Sequence, residues 1–412
     1  MDKKLGEIIQ EITRGLPILL SMAADLVGES EDERFSISED EISDWKEEYD
    51  ERAIAEYLLG RIIDKLPRDL LKQIIEFGMI LRIFNIDIMR SILETEFEGK
   101  EVDWIGVFDT VKRYSFVERK GKFWKFHDLI RNLQIKRIME EYPSKCIDLN
   151  DKAFDYFSRL VEDSVDEREQ LIYLLEALYH SFQVSEDVGL EFWDKCEKQV
   201  KFDWDFELWR SLLDELAKDE YLDFARTKAK REYSEGLYFY RRGEWDKASS
   251  SFEEGVKLAK SIKNGKEDLT ALLLGLGSVH LAKGQWNEAS KYCEQAFELV
   301  AELENEDLLA TSYNDLGDIQ RAKGNWHKAL EYYRLALTIR EDLDDKYYQA
   351  IIHNNLGHTY QLLGEWDQTD FHLNESLKIR QELNDRIGLA ATYNSMGNIH
   401  QLRGQLLIGR QI

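Results

Sequence analysis

The sequence is short of proline, cysteine and positive charge. Three prolines stand among 412 residues. Proline is expelled from helix interiors, so this scarcity beside abundant Leu, Ala, Glu and Lys points to a mainly helical chain. The three cysteines, Cys146, Cys196 and Cys293, are odd in number, far apart and without a metal-ligand spacing. They read as buried free thiols in a reducing cytosol, with no metal and no cofactor expected. Lys and Arg total 55 against 81 Asp and Glu, a net charge of −26. That balance repels phosphate backbones and argues against nucleic acid as a partner of the whole surface. Long apolar runs are missing as well. The one near the N-terminus, Leu16 to Leu20 continuing to Ala24, is too short to span a bilayer. It follows Asp2, Glu7 and Glu11, the wrong flank for a secretory signal. A cytoplasmic protein with no membrane partner is expected. At 43% apolar residues the chain can fill the cores of two or three domains.

Composition changes along the chain. Residues 1–28 form an apolar segment with a turn at Arg14-Gly15 and Pro17 just inside a helix start. Residues 29–51 hold 12 acidic and 2 basic side chains, either a solvated linker or the exposed face of a helix. Ile54, Leu58, Ile62, Ile63 and Leu66, then Leu70, Leu71, Ile74 and Ile75, fall at helical spacing, with Pro67 starting the second run. Around Arg119-Lys120-Gly121-Lys122 the flanking Ser115-Phe116-Val117-Glu118 and Phe123-Trp124-Lys125-Phe126 predict a short β-hairpin. Helices followed by a hairpin with a basic tip describe a winged helix over residues 52–140. Residues 145–227, rich in aromatics at helical spacing, read as irregular helical hairpins that connect to a repeat region.

What is abundant is repetition. Gly243-Glu244-Trp245, Gly284-Gln285-Trp286, Gly324-Asn325-Trp326 and Gly364-Glu365-Trp366 place tryptophans 41, 40 and 40 residues apart. A fifth Gly404-Gln405 is followed by Leu406 where Trp is due. Such a period marks a solenoid of stacked helix pairs, usually a binding surface rather than an enzyme. Within each unit a glycine recurs at Gly236, Gly277, Gly317, Gly357 and Gly397. A small residue follows at Ala248, Ala289, Ala329 and Thr369, and a large one at Phe252, Tyr292-Cys293, Tyr333 and Leu373. Small positions let two antiparallel helices approach, and the large side chain fills the groove between them. The Trp should open the second helix of each pair. The fifth unit would have only a first helix, about Gly388 to Arg403, and residues 404–412 read as an irregular tail. Both ends of the chain look like edges of something larger.

This pattern resembles the tetratricopeptide repeat, with Leu356-Gly357-His358-Thr359-Tyr360 carrying part of its signature in full and Gln320 replacing Tyr after Leu316-Gly317. The resemblance implies an α-solenoid of about four and a half repeats over residues 228–403, whose first helices line a concave groove. Asn314, Asn354 and Asn394, three residues before the glycine, and Asp318, His358 and Asn398, one after it, would then share that face. An amide ladder can pair with the backbone of an extended peptide. The same amides can equally bond to one another or to water between repeats.

Before the repeats, Arg14-Gly15-Leu16-Pro17-Ile18 resembles the Gly-Leu-Pro-Leu motif of NB-ARC/STAND signalling ATPases. Ile62-Ile63-x-x-Leu66-Pro67 and Lys125-Phe126-His127-Asp128-Leu129 follow in that family's order, the latter resembling its His-Asp motif. The resemblance implies residual nucleotide contacts at Pro17 and His127. The departure is that no Gly-x-x-x-x-Gly-Lys-Ser/Thr is present, so the phosphate cradle, its lysine and the metal ligands are missing. His127 can otherwise bond a backbone carbonyl or cap the helix that Asp128 would N-cap. The expectation is a non-enzymatic sensor binding a protein or peptide in its groove, coupled to a separate ATPase polypeptide. The alternative is a winged-helix DNA-binding regulator. It rests on nine basic residues, Lys112, Arg113, Arg119, Lys120, Lys122, Lys125, Arg131, Lys136 and Arg137, against Glu118 and Asp128.

Overall fold

The computed structural model describes Met22, Ala55, residues 58–60, 69–203, 205–218 and 225–409, without the side chains of 201–203 and 404–409. Pro17, the acidic stretch 29–51 and the motif ending at Pro67 lie outside the described residues. The chain divides into two compact units, residues 1–193 and 194–412.

In the first unit, α1 (Asp69–Gly78), α2 (Ile86–Leu93), a 3-10 turn (Glu94–Phe97) and α3 (Trp104–Val111) precede strands β1 (Val117–Lys120) and β2 (Phe123–Phe126). Asn85 and Asp103 cap α2 and α3 through Ile88 N–H and Gly106 N–H, as short polar side chains do at helix starts. The predicted hairpin is present and antiparallel, with Val117 opposite Phe126 and Lys120 opposite Phe123. Gly121 turns the chain at φ 64°, a left-handed conformation that glycine adopts without a Cβ penalty. Phe84 adds an isolated bridge, exchanging both backbone bonds with Trp124 at 2.7 Å. Its ring stacks on Phe126 at 4.6 Å, which ties the hairpin to the helices. Helices α4 (Asp128–Glu141), α5 (Pro143–Asp163) and α6 (Glu167–Val184) complete the unit, and α7 (Glu186–Asp203) carries the division between units.

In the second unit, α8 (Phe206–Leu216) is followed by antiparallel pairs: α9 (Ala225–Arg241) with α10 (Trp245–Ser261), α11 (Lys266–Ala282) with α12 (Trp286–Val300), α13 (Glu306–Ala322) with α14 (Trp326–Asp342), and α15 (Lys346–Leu363) with α16 (Trp366–Glu382). A further helix, α17 (Arg386–Gly409), follows the fourth pair. The fifth unit thus continues as helix through Gly409, where an irregular tail was expected from residue 404. Every Gly-x-Trp has one local cause. The glycine ends the first helix at φ 73° to 83°. The next residue's N–H reaches back to the helix, as Glu244 does to Phe239 O at 2.9 Å and Asn325 to Gln320 O at 2.9 Å. The tryptophan is then the first residue of the second helix.

The small positions close the pairs. A Cβ built on Gly236 would lie 2.5 Å from the Phe252 ring, and one on Gly317 would lie 2.6 Å from Tyr333. Ala248, Ala289 and Ala329 are fully buried behind them. The fold is mainly helical, with one small antiparallel sheet among the described residues and a solenoid of helix pairs.

Candidate functional site

Helices α13, α15 and α17 carry the expected polar positions. On α13, Asn314 and Asp318 are half-buried. On α15, Asn354 and His358 are half-buried, and on α17 Asn394 and Asn398 are exposed. The structure connects them differently from a simple ladder. Asn314 Oδ1 accepts from Asn355 Nδ2 at 3.1 Å, so the cross-repeat amide bond uses the residue after Asn354. His358 Nε2 lies 2.9 Å from Ser395 Oγ on α17, the next cross-repeat contact along the same face. Burial holds the His358 imidazole below its ordinary value, keeping it neutral. Asn354 Oδ1 is buried with no hydrogen-bond partner among the described residues.

Asp318 does not project freely. It accepts from Arg321 Nη2 and from the Tyr333 hydroxyl, both at 2.7 Å, and Arg321 Nε also donates to Tyr333 at 3.1 Å. This triad locks α13 to α14. One turn before it lies Asp315, a residue the repeat pattern did not single out. Asn314 donates to it at 3.4 Å and Ser278 of α11 supplies a second hydrogen bond. Burial and then the neighbouring Asp318 charge push its carboxyl up to about 7. The field of both carboxylates reaches α9, where the Tyr240 hydroxyl is pushed up to about 12, first by burial. Asp315, Ser278, Asn355 and Ser395 all belong to the face. The signal that could have found Asp315, Asn355 and Ser395 is their common place two residues before each repeat glycine.

In the first unit, His127 caps α4 with its backbone, but its side chain makes no cap bond, and Asp128 occupies the first helical position instead of the N-cap. His127 N–H donates to Phe116 O at 2.8 Å, while its Nδ1 is buried without a partner among the described residues. The basic island around it is largely neutralised. Lys112 pairs with Asp109, Lys122 with Glu169, Lys125 with Glu118 and Asp128, Lys136 with Glu140, and Arg137 with Glu76 and Glu141. Arg131 is buried, donating to Ile80 O and the Tyr179 hydroxyl. A phosphate at this face would compete with these carboxylates for the lysine and arginine cations.

All three cysteines are buried and unpaired, and burial pushes the Cys196 thiol up to about 12, which makes it a poor nucleophile. Among the described residues no group of three or more His, Cys, Asp or Glu could hold a metal ion. No helix there is long and apolar enough to cross a membrane.

The tetratricopeptide repeat family model matches residues 267–342 and 348–406, and these residues are tetratricopeptide repeats. No curated protein sequence matches the chain. Among solved structures, the chain is similar to a Signal Transduction ATPase with Numerous Domains (STAND) protein with a tetratricopeptide repeat sensor from Pyrococcus horikoshii. Identity is 14% and TM-score 0.53, over 95% of this chain and 53% of the other, so the chain spans about half the length of that relative. It is also similar to aspartyl phosphate phosphatase F from Bacillus subtilis, at 10% identity and TM-score 0.40 over 100% of this chain and 86% of that one. BtubC from P. vanneervenii matches at 19% identity and TM-score 0.36, over 58% and 92%. At these identities the first likeness shows the fold alone, and the other two carry no argument.

Proposed function

We propose that the polar face of α11, α13, α15 and α17 binds an extended peptide or protein segment, and that the chain is a non-enzymatic sensor. Tetratricopeptide repeats support an interaction role. The observation that carries the reading is Asn354, whose buried Oδ1 has no partner on a face where the neighbouring amides and carboxylates satisfy one another. An unmet buried acceptor costs about 1–3 kcal/mol, and a rotation of the half-buried Asn354 amide toward the backbone N–H of a bound peptide would remove that cost. Asn394 and Asn398 extend the same row with exposed amides. A peptide-library screen with fluorescence anisotropy tests this. Asn354→Ala should weaken a selected peptide about tenfold while helicity is unchanged. Unchanged affinity in both Asn354→Ala and His358→Ala would place recognition elsewhere.

The sensor is read further as the regulatory part of a STAND-type ATPase without its hydrolysing core. Three short helices, an antiparallel hairpin and a following helix support a winged helix within residues 69–141. The fold likeness to a STAND protein extends over 95% of the chain. His127, with a buried Nδ1 free of protein partners among the described residues, is suited to a residual phosphate contact. The phosphate-binding loop would come from outside these 412 residues, whose sequence has no such motif. Co-purification of such an ATPase, strengthened by ADP and weakened by His127→Ala, is the expected result. Isothermal titration with no nucleotide binding and no co-purifying ATPase would remove this coupling and leave the groove reading intact.

A further inference from the structure

Gln134, Arg137, Ile138 and Glu141 recur on α4 at helical spacing and so share one face. Gln73, Glu76 and Phe77 do the same on α1. In the first unit these two faces line a cavity of about 470 Å³. Tyr142, the N-cap of α5, and Lys145 in its first turn line it too. Phe77, Gln134 and Ile138 are buried and form its inner part, whereas Arg137, Glu141 and Tyr142 are exposed and form its mouth.

The inner part holds an unmet group. Gln134 is only 3% exposed, yet its carboxamide makes no hydrogen bond to any described residue. Buried amides are normally paired, and this one offers donors and an acceptor toward the cavity it lines. Beside it, Phe77 and Tyr142 form an aromatic wall, edge to face with centroids 6.0 Å apart. The mouth carries both signs of charge. Arg137 lies 2.9 Å from Glu141 and 3.9 Å from Glu76, joining α4 to α1. The Lys145 ammonium stands 3.9 Å from the Phe77 centroid and 2.9 Å from Glu96.

These three features select a ligand together. A plain anion would compete with Glu76 and Glu141 for the cations, and an uncharged ring would leave both signs unanswered. A zwitterion answers both: its carboxylate joins Arg137 and Lys145, and its ammonium joins Glu76 and Glu141. The aromatic wall takes a flat ring, and the buried amide requires a polar group at the inner edge of that ring. We propose that this cavity binds a free aromatic amino acid whose ring carries a hydroxyl or N–H, with the ring against Phe77 and Tyr142 and its polar edge on Gln134. The site is separate from the polar face of the solenoid and from His127, and it rests on neither reading.

Calorimetric titration of the whole chain with L-tyrosine, L-phenylalanine, tyramine and 4-hydroxyphenylacetate tests this. L-Tyrosine should bind about tenfold tighter than L-phenylalanine, because only its hydroxyl gives the Gln134 amide a partner. Tyramine lacks the carboxylate and 4-hydroxyphenylacetate lacks the ammonium, so each should bind about tenfold more weakly than L-tyrosine. Gln134→Leu should abolish the preference for L-tyrosine and leave L-phenylalanine binding in place. Tyr142→Ala, at an exposed position, should weaken both amino acids while the preference persists. Four results would each overturn the proposal: no binding of either amino acid, equal affinity for the two, tyramine binding as tightly as L-tyrosine, or a preference that survives in Gln134→Leu.

Discussion

The Nδ1 atoms of His353 on α15 and His372 on α16 stand 2.9 Å apart, so the pair is held by one proton shared between two rings. Tyr360 stacks on His372 at 5.4 Å, Arg334 of α14 donates to the Tyr360 hydroxyl, and Glu375 acts on His353 from α16. Full protonation of both rings would put a proton on each Nδ1, break the bond and place two cations in contact.

The pair therefore makes the solenoid acid-sensitive. Burial, then His353 and Arg334, push His372 down to about 4 from an ordinary 6.5, and burial also lowers His353. A lowered folded-state value means the unfolded chain binds more protons between pH 6.5 and about 4. Stability is present above this window and is lost as pH falls through it. His372→Gln should flatten the dependence of Tm on pH there. An unchanged slope in that variant would show that the titration lies elsewhere.

Asp315 has the opposite sign. Its carboxyl is raised to about 7, so folding disfavours the charged form, and stability falls as pH rises from about 4 through 7. Asp315→Asn removes that charge while keeping an acceptor for Asn314 and Ser278. It should raise Tm at pH 8 by roughly 2–4 °C, with the gain vanishing below pH 4. Loss of stability at pH 8 would mean that the carboxylate has a cationic partner in solution.

Gly317 tests the close packing of α13 on α14. Alanine in a helix interior normally gains about 1 kcal/mol over glycine. Here its Cβ would sit 2.6 Å from the Tyr333 ring, itself held by Asp318 and Arg321. The ring cannot withdraw without losing those bonds, and overpacking costs about 1–3 kcal/mol. Gly317→Ala should therefore lower Tm, whereas propensity alone would raise it.

The sequence shows the solenoid because one glycine does two visible jobs. At Gly243, Gly284, Gly324 and Gly364 the left-handed turn demands it, and Trp at the next helix start marks the register. Gly236 and Gly317 are visible for another reason: a helix needs a gap where a ring enters. The face was legible as a set of positions, but its bonds were not. Asn314 chooses Asn355 over Asn354, and Asp318 turns to Arg321 and Tyr333, because partner choice depends on inter-helix offsets that periodicity does not encode. The ion pairs of the basic island were hidden for the same reason. Lys122 finds Glu169, distant in sequence, and composition near the hairpin cannot reveal it.

Arg340 is the strongest test of how consecutive repeats are joined. Its side chain is 1% exposed. It donates to the Asp307 carboxylate and carbonyl, to Thr311 Oγ1 at 2.7 Å and to Asp345 Oδ2 at 3.0 Å, binding α14 to α13 and to the turn before α15. A buried charge removed from such a set leaves Asp345 and Asp307 without their cation, and the loss exceeds what a surface pair would give. Arg340→Ala should cost about 3–5 kcal/mol. Arg340→Met keeps the apolar stem but leaves the same carboxylates unpaired, so it should recover only the packing part. Denaturant unfolding of both variants separates the two contributions. Equal, small losses would show that Asp307 and Asp345 are satisfied by water and that the repeats hold together through their apolar faces alone.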